Sequence, residues 1–212
     1  MTGAALDEGL RALGLEPAAL AAPLERYLAL LGEWNAVHNL TAIRDPADQV
    51  TKHLLDSLAI LPWVPERGRL LDVGTGAGLP GIPLALARPT LAVTLLDSRN
   101  KKARFCQAAI AALGLTNASV VHARAEDHCA EPYDAIVSRA VGSLAELVRF
   151  TEHLGDGRTR WLTMKGAVPS DELAALPAGF VHRATHPVAV PGLDAARCLV
   201  ELVRAPPGKS SR

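Results

Sequence analysis

The apolar run Leu70-Leu71-Asp72-Val73 leads straight into Gly74-Thr75-Gly76-Ala77-Gly78, and a second run, Leu91 to Leu96, ends in Asp97. Two apolar strands joined through three alternating glycines leave few folds open. The glycines let the backbone turn tightly and come close to a ligand where a Cβ would collide. An acidic residue on the first strand, the glycine turn and an acidic residue ending the second strand together describe a nucleoside site. Asp97 stands where a carboxylate can accept both ribose hydroxyls.

The flanking pattern gives the fold class. From Arg69 onward, short apolar strands at 69–73, 91–96, 118–122, 134–138 and 160–164 alternate with helical stretches near 80–88, 99–113, 143–154 and 170–176. Such alternation predicts an α/β protein with a right-handed, doubly wound parallel sheet. Two last strands, Ala184 to Val190 and Cys198 to Arg204, lie too close for a helical crossover, so they should pair antiparallel at the end of the sheet. Residues 1–66 read as a helical extension. Leu20, Leu24, Tyr27, Leu28, Leu31 and Trp34 recur at helical steps, with a shorter helix over Leu6 to Leu15 before them and another from about Asp48 to Ile60 after Asp45-Pro46. The sheet domain spans 67–206, and 207–212 read as a flexible tail.

Composition narrows the function without choosing it. About half of the 212 residues are apolar, enough for one α/β core and a small appendage. Lys plus Arg equals Asp plus Glu at 22 each, so any nucleic-acid contact must rest on local patches rather than a global field. Asp7, Glu8, Glu16 and Glu25 interrupt the N-terminal apolar residues, which excludes a signal peptide or membrane span and points to a cytoplasmic protein. Cys106, Cys129 and Cys198 have no ligand or disulfide spacing and are expected as buried free thiols, and no metal site is expected. Trp34, Trp63 and Trp161 are expected in the core.

Gly76-Ala77-Gly78-Leu79-Pro80-Gly81 also fits the dinucleotide fingerprint, with Asp97 at a suitable distance. Three features favour S-adenosylmethionine: Asp72 before the glycines, the unbroken glycine alternation, and an antiparallel hairpin ending the sheet. In the next unit, Ala125 and Glu126 are candidates to meet the adenine. Arg99, Lys101, Lys102 and Arg104 open a helix whose N-terminal dipole they oppose, so they require another partner, such as an RNA backbone, or form a solvated face. Ser138 and Arg139 end the fourth strand over the place where the methyl group should sit. The chain lacks the Asn or Asp, two prolines and aromatic that many exocyclic-amine methylating enzymes carry here. That favours a nucleophile with a free lone pair, such as guanine N7, which needs no general base and relies on alignment and electrostatics.

Trp34-Asn35, His38-Asn39-Leu40-Thr41, Arg44-Asp45-Pro46, His53-Leu54-Leu55-Asp56-Ser57, the segment Asp72 to Leu84, Leu95-Leu96-Asp97-Ser98, Ser138-Arg139-Ala140 and Lys165-Gly166 occur in the order found in the RsmG family, formerly glucose-inhibited division protein B. The resemblance covers about residues 24 to 204. It implies a class I methyltransferase fold, Rossmann-like with an N-terminal helical extension, S-adenosylmethionine as donor, and as acceptor a guanine N7 in the 530 loop of 16S rRNA, within the small ribosomal subunit or its assembly intermediate. The cofactor positions it carries over are Gly74, Leu79, the Ala125-Glu126 pair and Arg139; Gly76, Gly78 and Asp97 join them on the physical argument. Arg139, Ser138 and Lys165 are the candidates for the reaction site, Lys165 as a partner for a phosphate or the cofactor carboxylate. Lys52, His53, Arg99, Lys101, Lys102 and Arg104 are the candidates for RNA contact. Lys52 departs from the Arg of many relatives, and for His53 the favoured reading is a structural one, paired with Asp56 or Ser57. A methyltransferase acting on a small molecule or protein, and a regulatory nucleotide-binding protein without catalysis, are the competing readings. No membrane partner is expected, and the protein is expected to be a monomer.

Overall fold

The computed structural model describes residues 2–206; the segment 207–212, expected as a flexible tail, lies outside the described residues. Strands β1 (Gly68–Val73), β2 (Leu91–Asp97), β3 (Ala118–His122), β4 (Ala135–Arg139), β5 (Arg160–Lys165), β6 (Phe180–Pro187) and β7 (Cys198–Arg204) form one sheet in the order β3-β2-β1-β4-β5-β7-β6. The first five run parallel, and β7 enters antiparallel between β5 and β6. The change of winding between β1 and β4 opens a crevice at the carboxyl ends of the strands, where such sheets bind ligands.

Side-chain alternation divides the core into two layers. Leu70, Val93, Leu95, Ala135, Val137 and Leu162 face one side, under helices α1 (Thr2–Ala12), α2 (Pro17–His38), α5 (Gly81–Ala87) and α6 (Asn100–Leu113). Leu71, Val73, Ile136, Trp161 and Val200 face the other, under α7 (Leu144–Thr151) and α8 (Ser170–Ala174). The helical extension therefore belongs to one of the two core layers. Leu6, Leu10, Leu24, Tyr27 and Leu31 are all fully buried there. Among the described residues no helix is long and apolar enough to cross a membrane.

Four expectations need correction. The helix expected over 48–60 is a composite: α3 (Pro46–Gln49), capped by the Asp45 carboxylate, passes through a π-helical segment, Val50–Leu55, into α4 (Asp56–Leu58). A 3.6-residue apolar period does not reveal a π segment. Strand β6 begins at Phe180, not Ala184, and gives up the ladder after Pro187. Phe180 packs edge-on against Trp161 with 4.9 Å between ring centroids, while the polar run His182-Arg183 and an irregularity between His182 and Ala184 hide the strand from apolar patterning. Cys129 is exposed, in the irregular connection from β3 to β4, whereas Cys106 and Cys198 are buried; all three are free. Trp161 is fully buried, but Trp34 and Trp63 are only partly so, packed against Phe105 and His186.

Candidate active site

The glycine turn is shaped by residues beneath it. Asp72, fully buried at the end of β1, accepts a hydrogen bond from the Thr75 hydroxyl at 2.6 Å and another from the Gly81 amide at 2.8 Å, so one carboxylate oxygen fixes both ends of the turn. Burial raises its pKa to about 7, against the lowering effect of those two bonds and of Arg139. Tyr27 of α2 donates to the Ala77 carbonyl at 2.7 Å. Burial pushes the Tyr27 phenol and the neighbouring Cys106 thiol upward, so both are neutral groups. Gly74 holds φ at +64°, and a Cβ there would stand 2.6 Å from a Val141 methyl. No other residue type fits that position without moving the loop after β4.

Asp97 ends β2 with one carboxylate oxygen accepting from the Gly76 amide at 2.9 Å and the other from the Arg99 amide at 2.8 Å. An ionised carboxylate has about four acceptor sites, so both oxygens retain capacity for a diol. A cleft of about 190 Å³ opens beside it, lined by Gly74, Asp97, Ser98, Ala125 and Glu126 and closed by Val141 and Phe150. Gly74, Asp97, Ala125 and Glu126 were legible in the sequence; Ser98, Val141 and Phe150 were not singled out, and Phe150 in particular is simply one apolar residue of α7. Gly76, Gly78 and Leu79 do not line this cleft. Leu79 is buried in the apolar layer, the Cβ position of Gly78 faces Ile82, and that of Gly76 faces the Lys102 amine. These three build the turn from behind.

A second cleft, of about 320 Å³, lies at the ends of β4 and β5 and is lined by Asp56, Arg139, Ala140, Met164, Lys165, Gly166 and Arg197. The loop after β4 stands between the two clefts. Ala140 holds φ at +57°, a conformation costly for a residue with a Cβ, and Val141 and Ala140 turn to opposite clefts. Arg139 and Lys165 are where the sequence put them. Lys165 is already paired: its amine meets both Glu172 oxygens at 2.9 Å and the Gly142 carbonyl at 3.2 Å, and Glu172 also accepts from the Leu144 amide at 2.7 Å. In this structure Lys165 fastens the loop. Ser138 is not in the cleft. One residue before Arg139 on a strand, it points to the opposite face and is fully buried, its hydroxyl without a partner among the described residues.

The expected RNA contacts divide. Lys101 donates to the His38 carbonyl, the last of α2, at 3.0 Å, and Lys102 to the Leu40 carbonyl just beyond the helix, so one amine meets the negative end of α2 and the other the segment that leaves it. That is the partner the unfavourable N-terminal cations of α6 required. Burial lowers the Lys102 pKa. Arg99 and Arg104 are exposed. Lys52 forms an (i, i+4) pair with Asp48 at 2.9 Å on the surface, a contact weak enough to exchange for a phosphate. His53 is buried, with Nε2 at 3.0 Å from the Thr41 hydroxyl, and its pKa falls to about 4 through burial and the nearby Arg139 charge. His53 is thus enclosed rather than presented at the surface, and Thr41, not Asp56 or Ser57, is the partner on its ring. Among the described residues no His, Cys, Asp and Glu cluster has a metal-binding arrangement.

A family model described as GidB, rRNA small subunit methyltransferase G, matches residues 21–200. A ribosomal RNA small subunit methyltransferase G from Xanthomonas axonopodis pv. citri (strain 306) is 53% identical over 199 residues, covering 93% of this chain and 92% of the relative. The protein of the same description from Azoarcus sp. (strain BH72) is 52% identical over 202 residues, covering 94% and 95%. Among solved structures, a SAM dependent methyltransferase from Aquifex aeolicus superposes with a TM-score of 0.57 at 17% identity, covering 78% of this chain and 97% of that one. A mutant of MtNAS in complex with S-adenosylmethionine gives a TM-score of 0.59 at 16% identity, covering 86% and 76%. The likeness to these two is one of fold, the Rossmann-like class I methyltransferase fold.

Proposed function

The chain belongs to the rRNA small subunit methyltransferase G family, and from that premise we propose that it methylates N7 of a guanine in the 530 loop of 16S rRNA, acting as a monomer on the small subunit or its assembly intermediate. It is an S-adenosylmethionine-dependent rRNA methyltransferase. The site residues suit that cofactor: Gly74 leaves open the space a Cβ would fill, and Asp97, with acceptor capacity to spare, faces the cleft that Ala125 and Glu126 complete. In this reading Asp97 accepts from the ribose, Ala125 and Glu126 meet the adenine, and Arg139, beyond the loop, borders the methionine end and the acceptor. When bound, S-adenosylmethionine supplies an electrophilic methyl group.

The observation that carries the choice of N7 is the state of the acceptor cleft. Among the described residues Asp56 is its only lining carboxylate, and both Asp56 oxygens are engaged by arginines. A nucleophile that must lose a proton would find no free base there. Guanine N7 loses none: its lone pair forms the new N–C bond as the C–S bond breaks, and the positive charge passes from sulfur to the base. The chain's own residues then contribute alignment and field. The test is transfer of labelled methyl to small subunits from a strain lacking this gene, followed by borohydride and aniline cleavage at N7-methylguanine. A single cleavage site in the 530 loop is expected. No incorporation, with cofactor binding intact, would overturn the assignment.

A further inference from the structure

Asp56 joins two guanidinium groups brought from distant parts of the chain. Its carboxylate, only 4% of the residue being exposed, accepts from Arg139 Nη1 at 3.3 Å and from Arg197 Nε at 3.0 Å. Arg139 Nη1 also donates to the Lys52 carbonyl, at 3.0 Å, and Arg197 Nη1 to the Ala196 carbonyl, at 3.0 Å. These bonds fix both arginines but leave the fork unfinished. Among the described residues no acceptor meets Arg139 Nε or Nη2, or Arg197 Nη2, although both side chains are about three-quarters buried. None of these nitrogens is among the fully buried atoms left without a partner, so they face the open cleft, where a ligand oxygen can take the place of solvent on a guanidinium with five donors.

The charge around the cleft has the same sense. Two arginines against one Asp56 carboxylate leave an excess positive charge, while Lys165 is neutralised by Glu172. Met164 and Ala140 add apolar surface to the same cleft. An apolar wall beside a pair of oriented guanidinium groups matches a nucleotide, its base on the wall and its phosphate on the fork.

We propose that Arg139 and Arg197, held as a pair by Asp56, bind a backbone phosphate of the acceptor strand beside the base to be methylated, with Asp56 as the positioning residue. This deepens the rRNA reading and rests on it. The cofactor's carboxylate is an oxyanion of the same kind, but Arg197 reaches the cleft from the β6–β7 connection and does not line the cleft that holds Asp97.

The experiment is steady-state methyl transfer to undermethylated small subunits at several salt concentrations, with calorimetric titration of S-adenosylmethionine, for the wild type, Arg197→Gln and Arg197→Lys. Arg197→Gln leaves Asp56 paired with Arg139, and a thermal melt checks that it folds. It should raise KM for subunits by about tenfold, with a smaller effect on kcat, and reduce the salt slope by about one, as expected for one lost phosphate contact. Cofactor affinity should stay within about twofold of wild type, since Arg197, unlike Arg139, is not placed at the methionine end of the cofactor. Arg197→Lys should recover the slope but only part of the KM, because it keeps the charge and loses the fork. Unchanged KM and slope in Arg197→Gln would overturn the clamp. Cofactor affinity falling in step with KM would also overturn it, assigning the fork to the cofactor carboxylate. If the wild type fails to methylate subunits, the substrate reading fails and takes the clamp with it.

Discussion

Asp72 and Asp97 end adjacent strands and face the same layer, yet they do different work. Asp97 retains acceptor capacity toward the cleft, so Asp97→Ala is expected to weaken cofactor binding by about 1.5–3 kcal/mol per charged hydrogen bond lost, measured calorimetrically. Unaltered affinity would take Asp97 out of the site. Asp72 is enclosed, and its pKa rises from 3.8 to about 7 through burial. A raised carboxylate pKa means the folded state holds a proton the unfolded chain has lost, so this contribution to stability is present below pH 3.8 and disappears as pH rises through about 7. His53 has the opposite sign: lowered from 6.5 to about 4, it costs stability as pH falls through that interval. The stability of wild type relative to Asp72→Asn should therefore decline from pH 4 to pH 7 in urea titrations. A constant difference would show that Asp72 stays ionised throughout. Spacing alone marked both aspartates as important; only the fold encloses Asp72 completely and leaves Asp97 bordering a cleft.

At the scale of elements, the glycine turn depends on a helix far away in sequence. Tyr27 lies fifty residues before the Ala77 carbonyl it binds. Tyr27→Phe should strand that buried carbonyl, costing about 1–3 kcal/mol of stability, and should loosen cofactor binding as the turn loses its support. Chemical denaturation and calorimetry read the two effects separately; lost stability with unchanged cofactor affinity would show that the turn does not need α2. The start of α6 gives a second prediction. Changing Lys101 and Lys102 to Glu removes both bonds and sets carboxylates against the His38 and Leu40 carbonyls, which should outweigh the about 0.3–1 kcal/mol per charge gained at the start of α6, so the melting temperature should fall. A variant as stable as wild type but defective on subunits would return those lysines to RNA binding. The run of cations was plain in the sequence, while its partner, the exposed end of α2, exists only after the extension has docked.

For the whole molecule, the helical extension and the sheet share one apolar layer, from Leu6 and Tyr27 through Phe105 to Leu162 and Leu199. The extension has no separate core, so unfolding should be a single transition. Trp34 reports on the extension and Trp161 on the opposite layer, and fluorescence of single-tryptophan variants should give the same midpoint as far-UV circular dichroism. An earlier transition at Trp34 would make residues 1–66 an independent unit. The alternation of strands and helices and the extension's helical character were readable from periodicity, because strand and helix periods depend on local burial, and the antiparallel hairpin from the shortness of the connection between its strands; the strand order, with β7 between β5 and β6, was not.

The sequence by itself determined the strand–glycine–strand unit, the acidic ends of β1 and β2 and the family, since each is written in consecutive residues whose types have few uses. Tertiary structure alone decided which candidates line a cleft. Ser138 and Arg139 are neighbours, yet strand geometry buries one and turns the other to the cleft. Arg197 carries no local signal; it joins Arg139 only because β7 inserts beside β5 and brings its leading loop to Asp56, 141 positions earlier in the chain. Long-range contacts of that kind follow from how the layers close over the core, which no window of sequence contains.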